Sequence, residues 1–283
     1  MSEKKIGTGK TIAAILLAIV ILVIAQSLAT VVGSIPVMIG APEAVGNVIA
    51  GVLYPVLAFF GVKLLCEKIL KLSLEECKLS QFSLKPLWCV VAIVMPCLVS
   101  VVLLMTMGHW ENSQFNGIEV SGVVTAAVFF YGLGAGIVEE LVFRGVIMSA
   151  LEYRCNKYVA IIAPSVLFGL VHIIGNDLDF LSMIQLVIAG SIVGILFSLV
   201  TYESGNIWNS AMIHAVWNII IVGGILHIGD VADEYSIYNY VLETDSFLIT
   251  GGDFGIEASV VSIMAYLIFI VLALVLMKRQ KHA

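Results

Sequence analysis

Charge is what this sequence lacks. Of its 283 residues only 12% are Asp, Glu, Lys or Arg, against 60% hydrophobic residues and a mean hydropathy of +1.08. A soluble domain carries about 25% charged residues, so this balance excludes an ordinary soluble fold and predicts a polytopic membrane protein. Cysteine patterning is missing too. The five cysteines, Cys66, Cys77, Cys89, Cys97 and Cys155, form no CxxC pair, which supports neither a disulfide framework nor a cysteine metal site. The net charge of -6 argues against a nucleic-acid partner.

Long apolar runs take the place of charge. Stretches fit to cross a hydrocarbon layer of about 30 Å lie at residues 11–32, 46–65, 87–107, 123–151, 159–174, 181–200, 207–226 and 260–277. The expected fold is an all-α polytopic transmembrane helix bundle of about eight spans. Three regions follow: 1–120 with three spans and a linker, a four-span core over 121–226, and 227–283 with a long loop and the last span.

Lys and Arg are absent from every second loop. Lys4, Lys5 and Lys10 precede the first span, and Lys68, Lys71, Lys78 and Lys85 follow the second. Arg154 and Lys157 follow the fourth, and Lys278, Arg279 and Lys281 the last. The alternate loops carry acids alone, among them Glu43, Glu111, Asp177, Asp179, Asp233 and Glu243. Basic loops stay on the cytoplasmic side, so both termini are expected to be cytoplasmic and the acidic loops external. The N-terminal run is too long for a signal-peptide core and reads as an uncleaved span. The Lys63–Lys85 segment reads as an interfacial connector. The long external loop, about residues 227–259, offers no recognisable chemistry.

Three polar clusters interrupt the apolar runs. Ionisable groups in hydrocarbon are costly unless they face one another or a wet cavity, so their default reading is a shared functional site. In GIVEELVFRG, Glu140 and Arg144 stand four residues apart on one helix face and predict an ion pair. Glu139 is rotated about 100° from Glu140 and has no partner in its own helix, which suits a general base. FGLVH puts Phe168 and His172 on one face, and HAVWN does the same for His214 and Asn218. A lone His, an ion pair or an Asn inside a bundle is commonly helix glue; it is the combination that points to chemistry. An Asn amide with an imidazole can bind the oxyanion of an attacked carbonyl. Counting about 1.5 Å per residue from the cytoplasmic ends sets Glu139 at about 18 Å, His172 at about 20 Å and His214 at about 10 Å, overlapping within boundary errors. Gly190 and Gly194, with Gly132, Gly134 and Gly136, read as helix-packing positions.

EELVFR, FGLVH and HAVWN, in that order on successive spans, resemble the EExxxR, FxxxH and HxxxN motifs of the CAAX-prenyl-protease and bacteriocin-processing family, the CPBP or Abi family, over roughly residues 121–226. The resemblance implies an intramembrane endopeptidase, in a bacterial cell membrane, acting on a membrane-associated and in some members lipidated protein or peptide. It implies that Glu139 with His172 activates a water, that Glu140 with Arg144 braces the helix, and that His214 with Asn218 forms the oxyanion site. No cofactor is needed for that chemistry. The alternative is a divalent metal, zinc for instance, held by Glu139, His172 and His214 with an open water position, although the spacing is not HExxH. Two other functions stand beside the protease: a proton-coupled transporter, whose relays use the same residue types but whose inverted repeats are not seen here, and a non-catalytic bacteriocin-immunity factor of the same family.

Overall fold

A computed structural model describes residues 5–113 and 115–280; Lys4 and Lys281, read above as cytoplasmic charges, lie outside them. The architecture is an all-helical bundle. Its rods are α1 (Thr8–Met38), α2 (Glu43–Leu70), α3 (Pro86–Leu104), α4 (Gly117–Arg154), α5 (Lys157–Val171), α6 (Phe180–Ser204), α7 (Trp208–Val222) and α8 (Val260–Gln280). Local sequence sets their ends. Asn116 accepts from the Ile118 and Glu119 amides while Glu119 reaches back to the Asn116 amide, a capping box that starts α4. Asn156 and Asp179 cap α5 and α6, Pro86 opens α3, and Gly205, at φ 82°, ends α6.

Among the described residues six helices are long and apolar enough to cross a membrane. The other two apolar runs of the expected eight are the shorter helices α5 and α7, which at 15 residues each reach about 22 Å. α5 ends at Val171, so His172 caps a helix instead of lying within one. α7 starts inside the protein: Asn206, Ile207 and Asn209 are buried, the Ile207 amide donates to the Lys78 carbonyl, and the Trp208 indole donates to the Ser80 carbonyl. The connector after α2 therefore folds into the bundle as its floor, with Leu72, Cys77 and Leu79 buried.

The long loop also differs from expectation. Three short strands, β1 (Gly108–Asn112), β2 (Leu226–Gly229) and β3 (Tyr238–Leu242), form a sheet in the order β1-β3-β2, antiparallel for β1 with β3 and parallel for β2 with β3. Beyond it, residues 252–258 form a strap of two tight helical turns laid over the start of α6. There the Asp179 amide donates to Asp253 Oδ2 (2.8 Å), the Asp253 amide to Ser182 Oγ (3.0 Å), and Gln185 Nε2 to the Ala258 carbonyl (2.7 Å).

Close backbone approach positions the core. A Cβ on Gly136 would lie 2.8 Å from the Ala215 backbone, one on Gly190 2.7 Å from Gly169 Cα, and one on Gly194 2.8 Å from Ser165 Cα. These contacts hold α4 against α7 and α5 against α6 with no side chain between them. Two wide turns, Ala126–Ala135 and Leu141–Ile147, interrupt the α geometry of α4 on either side of Glu139 and Glu140; such π-helical turns are rare and concentrate at functional sites.

Candidate active site

The three clusters that the sequence singles out meet. Glu139 from α4, His172 from the end of α5, and His214 and Asn218 from α7 line one cavity of about 380 Å³, together with Phe168, Phe197 and Trp217. Glu139 Oε2 lies 3.8 Å from His214 Nε2 and 4.0 Å from His172 Nε2. It has no hydrogen-bond partner among the described residues. Both separations exceed a direct hydrogen bond.

Hydrogen bonds set the imidazoles. His172 Nδ1 lies 2.7 Å from the Phe168 carbonyl, an acceptor, so this nitrogen carries the proton and Nε2 faces Glu139. The ring also packs on Phe168, 4.6 Å between centroids. His214 Nδ1 lies 3.3 Å from Glu140 Oε1, and its ring stacks on Phe197 at 4.9 Å and 22°. With Nδ1–H committed to a carboxylate, His214 donates from Nε2 only as an imidazolium.

The sequence-predicted pair is present. Arg144 Nη1 donates to Glu140 Oε1 at 2.8 Å, and both side chains are fully enclosed. Arg144 Nη2 donates to the Gly194 carbonyl at 3.1 Å, and the guanidinium lies over Phe168 (4.8 Å) and Phe197 (5.1 Å). Glu140 thus holds both Arg144 and His214, a second contact that i,i+4 spacing does not reveal. Asn218 is buried, and one amide hydrogen goes to the Tyr131 carbonyl at 2.9 Å, which leaves its other hydrogen for a ligand.

Sequence reasoning missed one wall. Asp253, Phe254 and Glu257 of the strap also line the cavity, although the long loop gave no chemical signal beyond an acid three residues before an apolar span. Trp217 Nε1 donates to Glu257 Oε2 at 2.8 Å, and Phe254 stands edge-on to His172 at 6.3 Å. Burial pushes the Glu257 carboxyl above the usual carboxylate range, while the Trp217 N–H and the nearby His172 and His214 pull it back.

Two ligands of a tetrahedral zinc ion with bonds of about 2.0–2.1 Å lie about 3.3 Å apart. The separations of 3.8 and 4.0 Å around Glu139 are wider. Among the described residues no three His, Cys, Asp or Glu side chains are arranged to hold a metal ion. The residues as placed do not fit a resident zinc.

The chain has no match among curated proteins. Residues 121–220 match the family model described as Rce1-like, type II CAAX prenyl endopeptidase Rce1-like. That segment contains the whole of EELVFR, FGLVH and HAVWN, and over it this integral membrane chain is similar to the CAAX protease family.

Proposed function

We propose that the protein is an intramembrane endopeptidase in which a water activated by Glu139 and His172 attacks a peptide carbonyl. The observation that carries this reading is the Glu139 carboxylate oxygen facing two imidazole Nε2 atoms at 3.8 and 4.0 Å, a spacing that one bridging oxygen spans with ordinary hydrogen bonds. The water gives its proton to Glu139 as its oxygen bonds to the carbonyl carbon. His214, as an imidazolium between the carboxylates of Glu139 and Glu140, and the free Asn218 amide hydrogen receive the developing oxyanion. The C–N bond then breaks, and the proton held on Glu139 passes to the leaving nitrogen. Glu140 and Arg144 touch no substrate; they fix His214 and the helix that carries Glu139.

The substrate is a membrane-associated peptide segment, and a lipidated C-terminus of the CAAX type is the first class to try. The test is incubation of purified protein with lipidated and unlipidated peptides, with products read by mass spectrometry. Glu139→Gln and His172→Ala are expected to abolish turnover with little loss of folded protein. His214→Ala and Asn218→Ala should each slow it by about 100-fold or more. Zinc at one equivalent, whose removal and return stops and restores cleavage, would overturn the ion-free scheme. Full activity in Glu139→Gln would overturn the endopeptidase reading at this site.

A further inference from the structure

The family match ends at residue 220, yet the cavity does not. Its outer wall is the strap, which brings Asp253, Phe254 and Glu257 up to the imidazoles. Exposure along the lining gives its direction. Phe168, Phe197 and His214 are buried at the deep end, where the enclosed Glu140–Arg144 pair lies behind them. Asn176 and Asp253 are exposed, and both belong to the loops that follow α5 and precede α8. The cavity is thus approached from the face whose connections, 39–42, 105–116, 172–179 and 223–259, contain no Lys or Arg.

The wall has one sign of charge. Glu139, Asp253 and Glu257 line the cavity, and among the described residues no Lys or Arg does. Arg144, the nearest guanidinium, is spent on Glu140 and the Gly194 carbonyl. His214 is flanked by Glu140 as well as Glu139. Glu257 is also held in place: Trp217 Nε1 grips its carboxylate, and Tyr266 Oη donates to its backbone carbonyl at 3.2 Å. Ionised or protonated, Glu257 offers nothing to neutralise an anion, and near a half-buried wall like charges repel far more than in water.

We propose that Asp253 and Glu257 are specificity-determining residues that make the cavity select peptide segments bearing a cationic side chain beside the reacting bond and reject those with an acidic side chain there. A basic side chain reaching the strap meets two carboxylates, while an acidic one meets them with no cation to relieve it. This deepens the endopeptidase reading and rests on it for the term "reacting bond". The charge preference of the cavity itself does not depend on turnover.

The experiment separates the two. The full chain is placed in nanodiscs of a zwitterionic lipid, so that the bilayer adds no net charge. Fluorescently labelled apolar octapeptide amides that differ only in a central Lys or Glu are titrated by anisotropy, and the same samples are analysed for cleavage. The Lys peptide is expected to bind about tenfold more tightly than the Glu peptide, equivalent to about 1.4 kcal/mol. In Glu257→Gln and in Asp253→Asn that ratio should fall, and in the double variant it should come within about twofold of unity. Asp253 is exposed, so its variant keeps the test open if Glu257→Gln fails to fold. Equal affinity for the two peptides, including no binding by either, overturns the proposal, as does an unchanged ratio in a folded double variant. A Lys preference with no cleavage upholds this inference and counts against the endopeptidase reading alone.

Discussion

Arg144 has three separate attachments: the Glu140 carboxylate, the Gly194 carbonyl, and the faces of Phe168 and Phe197. Arg144→Ala would leave the Glu140 carboxylate fully enclosed with only His214 to answer it, and an uncompensated buried charge costs about 3–5 kcal/mol. The expected outcome is a marked fall in thermal stability in detergent and in membrane abundance. Replacing both residues with apolar side chains, Glu140→Leu with Arg144→Met, should recover part of that stability without restoring turnover, because His214 has then lost the carboxylate on its Nδ1. Wild-type stability in Arg144→Ala would show that the pair contributes nothing. This pair was legible in the sequence, because four residues along a helix bring two side chains together wherever that helix sits. The Glu140–His214 contact was not legible; it depends on how α4 and α7 pack.

That packing is decided by elements. α4 meets α7 through Gly136, whose missing Cβ lets the Ala215 backbone come to van der Waals contact one residue from His214. Gly136→Leu should push the helices apart and move His214 from Glu139, costing turnover more than helix content. Circular dichroism beside a cleavage assay would check this, and equal losses in both would contradict it. The apolar runs were readable because hydrocarbon-crossing helices need little beyond length and apolarity. Depth along them was not. Counting from the membrane edge set His214 some 8 Å nearer the cytoplasm than Glu139, about the rise of five residues, but α7 begins beneath the connector after α2, with Ile207 buried, and so His214 starts deeper. The β1-β3-β2 sheet was invisible for another reason. The pairing of β1 with β3 joins residues more than 120 positions apart, as Trp110 with Tyr240, and Gly108–Asn112 lacks the alternation by which strands are recognised.

At the scale of the whole molecule the two faces differ in kind. One carries the Lys-bearing connections and the floor built from the linker after α2; the other carries the sheet, the strap and the mouth of the cavity. On the positive-inside rule the first face is expected in the cytoplasm. Single-cysteine variants in a cysteine-free background are then expected to react with an impermeant maleimide in intact cells at Tyr235 but not at Lys10 or Arg279. The reverse pattern would turn the cavity mouth to the cytoplasm, and labelling at only one terminus would break the pairing of the faces. These faces are tied by α8. At its far end Gln280 Nε2 donates to Glu203 Oε1 at 2.7 Å, the oxygen that also holds Lys85. At its near end Ser262 Oγ donates to the Ile256 carbonyl at 2.6 Å, and Tyr266 Oη to that of Glu257. A helix of 21 residues is a stiff rod about 31 Å long. Clamped at both ends, it acts as a tie-rod, so any axial slip that opened the roof over Glu139 would pull at the same moment on the Glu203 anchor on the opposite face.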